Sequence, residues 1–359
     1  MGFSDDGVTQ AALDDYYAHS AKYADLSIYS VGSDALGLSA EAPWELERAR
    51  NLVSFAEPFV SKSELVFDVG CSTGTALVIL REAGYVRLGG MDPMEAAVSV
   101  ARDARGLDVI RGGFGTPHPA GRPDVIIASH VLEHVLNLGE AVAEMAASLA
   151  VGGRAVVEVP DAARFSEYVS SPYQDFNTEH INHFSLAHLD ALMASVGFEA
   201  LSLAQGLARS GPQHDYPVAR GVWKYTGQQV DPLTIADASG AHHAALVAYA
   251  EESERIFVGI DERIQAGLGD EEFVLWGAGQ FAMKLMMRPS FPMAQCIGIV
   301  DSSPSRIGLE LNGLRVSSPD GLVSGSPRVI LPGSVFGAES IRQSAERLGL
   351  ASRVVDLGT

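Results

Sequence analysis

The chain has 359 residues, with 45 Asp or Glu against 25 Lys or Arg, and a formal net charge of −20. That balance excludes a nucleic-acid binder, which needs basic surface to neutralise phosphates. Two cysteines, Cys71 and Cys296, exclude a disulfide scaffold and a cysteine-ligated zinc module.

The length suits about two domains at ~100–200 residues each. No uninterrupted apolar run approaches the roughly 18–20 residues that span a bilayer. The first residues lack the basic start and apolar stretch of a signal peptide, so a cytoplasmic protein with no membrane partner is expected.

Residues 1–62 read as an N-terminal helical segment, in which Leu46, Ala49, Val53 and Ala56 recur at helical spacing between Pro43 and Val60. The pattern then changes. Leu65–Val69 is a short apolar strand that runs into the glycine-rich turn Gly70-Cys71-Ser72-Thr73-Gly74, and a helix is predicted from Ala76 to Glu82. Further strands are predicted at Leu88–Asp92, Asp124–Ser129 and Arg154–Val159, with helical patterns between them. Strands alternating with helices indicate parallel βαβ units. An α/β domain is therefore expected over residues 63–205 and a connector with a long Ala/Glu-rich helix over 206–270. A second, smaller strand–turn–helix unit is expected over 271–359, with strands at Phe273–Trp276, Cys296–Val300 and Arg328–Leu331 and a last helix near Glu339–Leu348.

A glycine loop after a strand lets backbone approach a ligand, and the following helix offers unpaired N–H groups. Here Asp68 precedes Gly70 to give D-x-G-x-x-x-G rather than the G-x-G-x-x-G of dinucleotide folds. An acid at that point repels a pyrophosphate but suits an ammonium, such as the amino acid end of S-adenosyl-L-methionine. Asp92, 24 residues after Asp68 and at the tip of the next strand, is placed to accept hydrogen bonds from ribose hydroxyls.

Val66-Phe67-Asp68-Val69-Gly70-Cys71-Ser72-Thr73-Gly74, Gly90-Met91-Asp92-Pro93 and Ser129-His130-Val131-Leu132-Glu133-His134-Val135 resemble the class I S-adenosylmethionine-dependent methyltransferases. The resemblance implies a Rossmann-like domain with S-adenosyl-L-methionine as cofactor. It places Asp68, Gly70, Cys71 and Gly74 at the methionine end and Asp92 and Pro93 at the ribose. Phe114 falls near the adenine, and Ser129 and His130 fall in the loop by the methionine end.

Tyr173-Gln174-Asp175-Phe176-Asn177-Thr178-Glu179-His180-Ile181-Asn182-His183-Phe184-Ser185, with the later turn Trp276-Gly277-Ala278-Gly279, resembles the bacterial nucleotide-sugar C-methyltransferases. These act on 4-keto deoxysugars. Methylating carbon beside a ketone needs a base for the α proton and a donor for the developing enolate. His180 is expected as the base, with Glu179 either orienting it or serving as the base itself, and His134 as a partner near the transfer point. Tyr173, Asn177 and His183 are expected at the acceptor.

The chain departs from these relatives on the acceptor side. It lacks their N-terminal cysteine-ligated zinc domain, and it carries Asn177 where a tyrosine is usual. The stretch Gln205–Gly211 matches their substrate contacts only loosely. Transfer to an oxygen or nitrogen of a sugar or other small metabolite is the alternative. A non-enzymatic nucleotide sensor is a rival from another class. His180, His183 and His188 with Glu179 do not reproduce H-E-x-x-H, and no metal is expected.

Gly277-Ala278-Gly279-Gln280-Phe281-Ala282 fits G-x-G-x-x-A after a strand, with Asp301 22 residues after Gly279. By itself the pattern suggests a nicotinamide cofactor. With so short a remainder of chain, it reads instead as a cradle for the acceptor's diphosphate, through Gly277 and Gly279, or as a purely structural turn.

Overall fold

A computed structural model describes residue 9 and residues 43–177, 179–211, 214–233, 238–323, 328–350 and 353–358. The expectation of helix before Pro43 falls outside the described residues. The chain forms two compact units: residues 1–168 with 178–246, and residues 169–177 with 247–359.

In the first unit, β1 (Leu65–Val69), β2 (Arg87–Asp92), β3 (Val109–Arg111), β4 (Val125–Ser129), β5 (Arg154–Pro160), β6 (Phe198–Gly211) and β7 (His214–Tyr225) form a seven-stranded sheet. Its order is β3-β2-β1-β4-β5-β7-β6. The first five strands are parallel, and β7 runs antiparallel to both β5 and β6. All of β1 is buried, as a parallel strand covered on both faces requires.

One face carries α1 (Pro43–Ala56) and α2 (Thr75–Glu82), whose Leu52, Val53, Leu77, Val78 and Leu80 pack on Val66, Val125 and Ile127. The other carries α4 (Leu138–Ser148) and α5 (Leu186–Ala194), with Val142, Met145, Leu189 and Met193 against Phe67, Ile126 and Val157. Trp223 is fully buried in that layer, and its indole N–H donates to Asp190 Oδ1 at 2.9 Å. Between β2 and β3, α3 (Glu95–Ser99) passes into a π turn over Val100–Ala104. The strand order reverses between β1 and β4, and ligands of open α/β sheets bind beyond the carboxyl ends of strands at such a switch.

The second unit has β8 (Phe273–Trp276), β9 (Cys296–Val300), β10 (Glu310–Leu311), β11 (Leu314–Ser317), β12 (Val329–Pro332) and β13 (Arg353–Val354) in the order β10-β11-β9-β8-β12-β13. Only the β10–β11 pair is antiparallel. Phe257, Ile260 and Ile264 of α6 (Ala238–Leu268) and Phe281, Ala282 and Leu285 of α7 (Gln280–Met286) cover Phe273, Leu275 and Leu331. Helix α8 (Ala338–Arg347) packs Ile341 and Ala345 on Val274, Trp276 and Ile330.

The α/β class and the second, smaller sheet domain agree with the sequence reading. The boundaries differ in two places. Residues 206–211 and 214–225, assigned to a connector, belong to the strands β6 and β7 that complete the first sheet. Residues 169–177, assigned to the first domain, belong to the second unit. There Asp175 N–H donates to Tyr249 Oη, and Tyr249 O–H donates to Asp175 Oδ2, both at 3.0 Å.

Candidate active site

The end of β1 leads into a loop shaped by left-handed residues: Gly70 (φ 75°), Ser72 (φ 49°) and Gly74 (φ 82°). A Cβ at Gly70 would lie 2.5 Å from Val131 Cγ2, so this glycine lets the β1 and β4 loops close on each other. Asp92 anchors the loop to the tip of β2, where Oδ2 accepts from Ser72 N–H at 2.8 Å and Oδ1 from Met94 N–H at 2.9 Å. Each oxygen keeps a second lone pair for a ribose hydroxyl. Asp68 is buried beneath the loop. Burial first, then the charge of Asp92, pushes its carboxyl up to about 7, against a smaller pull from Arg48. Cys71 is buried too, and its thiol is pushed up by that burial and by Asp68 and Asp92.

A brace that the motifs do not reveal is Arg105, at the end of the π turn. It is 5 % exposed, and its NH1 donates to Thr73 O at 3.0 Å, Thr73 Oγ1 at 3.2 Å and Thr75 Oγ1 at 3.0 Å. Removing the guanidinium withdraws donors from buried acceptors and leaves a cavity. Arg105→Ala is therefore expected to cost about 2–4 kcal/mol of stability. It should also weaken cofactor binding, because the loop loses its support. A denaturation midpoint equal to wild type would remove Arg105 from this role.

Beyond β4, His130 takes the left-handed region at φ 54°. Its Nδ1 donates to Glu133 Oε1 at 3.1 Å, and its Nε2 faces Glu158 Oε1 at 3.5 Å. Glu158 in turn pairs with Arg220 at 3.1 Å. Burial would lower the His130 pKa, but the bonds to Glu133 and Glu158 outweigh it and the pKa is raised. Ser129 Oγ also points to Glu158 Oε1, at 3.5 Å. Both residues expected at the cofactor thus engage this chain of charges.

Glu133 and His134 lie on a short 3₁₀ turn, Leu132–His134. Burial would raise the Glu133 carboxyl, but the His130 bond and the charges of His130, His134 and His180 hold it down at about 2. His134 Nδ1 donates to the backbone carbonyl of Glu179 at 2.8 Å. The His134 and His180 rings meet edge to face, with centroids 4.9 Å apart and planes at 74°. Asn182, 2 % exposed, fastens the two segments together. Its N–H donates to Glu133 O at 3.0 Å, and its Nδ2 donates to Leu132 O at 3.1 Å and Val135 O at 2.6 Å. Sequence reasoning passed over Asn182, because its side-chain partners Leu132 and Val135 lie 50 and 47 residues away.

The expected acceptor residues are divided between the two units. Glu179, His180 and His183 are in the first unit, whereas Tyr173 and Asn177 are in the second. Tyr173, at φ 53°, donates its N–H to Ser253 Oγ at 3.0 Å, and Lys284 Nζ donates to its carbonyl. Asn177 Nδ2 donates to Gln174 O at 3.2 Å. His183 sets its ring edge to face with Phe165, centroids 6.2 Å apart, and burial lowers its pKa to about 4. Phe114 packs beside the core of the first unit.

In the second glycine turn, Gly277 N–H donates to Val300 O at 2.7 Å and Ala278 N–H to Asp301 Oδ2 at 2.7 Å. Arg306 pairs with Asp301 at 3.2 Å and would lie 3.3 Å from a Cβ at Gly279. Two of the loop's amides and its acid are thus engaged within the turn itself.

A strand-end glycine loop with an acid on each side, on a sheet of order 3-2-1-4-5-7-6, defines a Rossmann-like methyltransferase domain. Residues 43–203 match the family model described as a methyltransferase domain. That stretch is a methyltransferase domain, and the chain that carries it is an enzyme. No curated protein matches it by sequence. Among solved structures, it is similar to magnesium protoporphyrin IX methyltransferase from Synechocystis PCC 6803 with bound S-adenosylhomocysteine. That likeness has 16 % identity and a TM-score of 0.43, over 59 % of this chain and 98 % of that one. It is also similar to an S-adenosylmethionine-dependent methyltransferase from Mesorhizobium loti. There the identity is 14 % and the TM-score 0.40, over 50 % of this chain and 99 % of that one.

Proposed function

We propose that the enzyme transfers the methyl group of S-adenosylmethionine to a carbon beside the keto group of a nucleotide-linked deoxysugar. The observation that carries this reading is the convergence of Glu133, His134 and His180 on the β4 loop, which abuts the cofactor loop at Gly70 and Val131. The resemblance of residues 173–185 to the sugar C-methyltransferases supports it.

In this reading the ammonium of the cofactor faces Asp68 and its ribose Asp92. The His180 ring, edge to face with His134, stands on the side that steadies the acceptor's oxygen. His180, the base expected from sequence, thereby takes that task instead. The base is then Glu179, the second of the two roles open to it. Its carboxylate takes the α proton, and the C–H electron pair becomes the enolate. The enolate carbon attacks the sulfonium methyl, the methyl C–S bond breaks, and S-adenosylhomocysteine leaves.

The test is transfer from S-adenosylmethionine carrying a carbon-13 methyl to a panel of nucleotide 4-keto sugars, read by NMR of the products. A carbon-bound methyl is the expected result. An oxygen- or nitrogen-bound methyl would replace the acceptor assignment and leave the methyltransferase in place.

A further inference from the structure

Glu133 is fully buried, and its Oε2 has no hydrogen-bond partner among the described residues. A carboxylate in that state carries a large desolvation cost unless a cation reaches it. Its other oxygen accepts from His130 and lies 3.9 Å from His134 Nε2. The tautomer of His134 follows from its far side. A backbone carbonyl can only accept, so the bond of Nδ1 to Glu179 O places the proton on Nδ1 and makes Nε2 the acceptor nitrogen of the neutral ring. A carboxyl oxygen and the Nε2 lone pair of the neutral ring are thus both turned to one point, as two ligands of one cation would be.

The third member is His180. One ligand atom from each of Glu133, His134 and His180 lies within 4.8 Å of the others, and this is the only such group of three among the described residues. We propose that Glu133, His134 and His180 bind one divalent transition cation of the Zn²⁺ class.

The donor set decides the class of ion. Two imidazoles and a carboxylate are the ligands of open catalytic zinc sites and of facial-triad iron sites. Mg²⁺ and Ca²⁺ favour oxygen donors alone. The outer shell is built as well. His134 holds the carbonyl of Glu179 behind it, and Arg220, Glu158 and His130 form the chain that fixes Glu133. Asn182 locks the turn bearing Glu133 and His134 to the segment that follows His180. The other two histidines of that sequence group lie elsewhere: His183 packs on Phe165, and His188 pairs with Ser185 Oγ at 2.8 Å.

Binding of the ion stands independently of the acceptor. Its use as the Lewis acid on the acceptor's oxygen rests on the reading given above.

The experiment is a Co²⁺ titration of the full chain after removal of metal by chelation, followed by the visible d–d absorption of the bound ion. One equivalent with a low-coordinate spectrum, displaced by Zn²⁺, is expected. Glu133→Gln, His134→Ala and His180→Ala should each weaken Co²⁺ binding by at least the roughly 10–100-fold typical of outer-shell changes. Retained cofactor binding would show that each variant is folded. His243→Ala, at an exposed position of α6, should bind as wild type. The proposal is overturned if folded wild-type protein gives no such spectrum, or if the three variants bind as wild type, which would mean an adventitious ion only. An acceptor other than a keto sugar would change none of these readings.

Discussion

Asp68→Asn is expected to weaken cofactor binding by roughly 10–100-fold, the loss of one charge-assisted hydrogen bond, while making the folded protein more stable above pH 7. The two effects have one origin. The carboxyl ionises near 3.8 when unfolded and near 7 when folded, chiefly because it is buried. A raised folded pKa means that the folded state holds the proton more tightly. This contribution to stability is complete below 3.8 and is lost as pH rises through 7. At higher pH the native protein carries a costly buried anion, and the amide removes it. The expected gain is on the order of 2 kcal/mol, or about 4–8 °C in melting temperature for a unit of this size.

The cofactor's ammonium compensates this buried anion. Affinity of the wild type should rise by up to about tenfold per pH unit below 7 and level off above it. Calorimetric titrations across that range would show the slope, and Asp68→Asn should flatten it. Affinity that falls with rising pH would separate Asp68 from the ammonium.

Glu179→Gln is expected to lower kcat by about 10²–10⁴-fold, the usual contribution of a positioned general base. The Kd for S-adenosylmethionine should stay unchanged. Proton removal can be read without methyl transfer by pairing S-adenosylhomocysteine with a 4-keto sugar in D₂O. The wild type should exchange the α hydrogen for deuterium, and the variant should not. Continued exchange in Glu179→Gln would return the base role to a histidine.

The parts of the fold that the sequence reveals are short apolar strands that end at a turn. Leu65–Val69, Phe273–Trp276 and Cys296–Val300 have the bounds expected of them, because a continuous apolar run against a turn has few other solutions. The β6–β7 hairpin escaped notice for the opposite reason. Glu199, Leu201, Gln205, Leu207 and Arg209 of β6 are exposed, and glycines and serines interrupt the alternation, so the stretch reads as loop.

The cofactor loop was legible because its residues are contiguous. The companion site was legible only in pieces. Glu133 and His134 stand in one motif and His180 in another, and nothing local tells that a carboxylate on a 3₁₀ turn meets an imidazole 47 residues later. Arg105 looks like an ordinary basic helix end until the π turn swings it beneath Thr73.

The polypeptide passes between the two units three times, after Tyr168, after Asn177 and after Leu246. Such threading has an evolutionary corollary. A joint made by simple end-to-end gene fusion is crossed once, and either half can later be lost or exchanged. Here a cut at Leu246 that kept only the C-terminal piece would strand Tyr249, which is fully buried, without Asp175. Residues 247–359 expressed alone would therefore lack a buried partner that the second unit draws from residues 169–177.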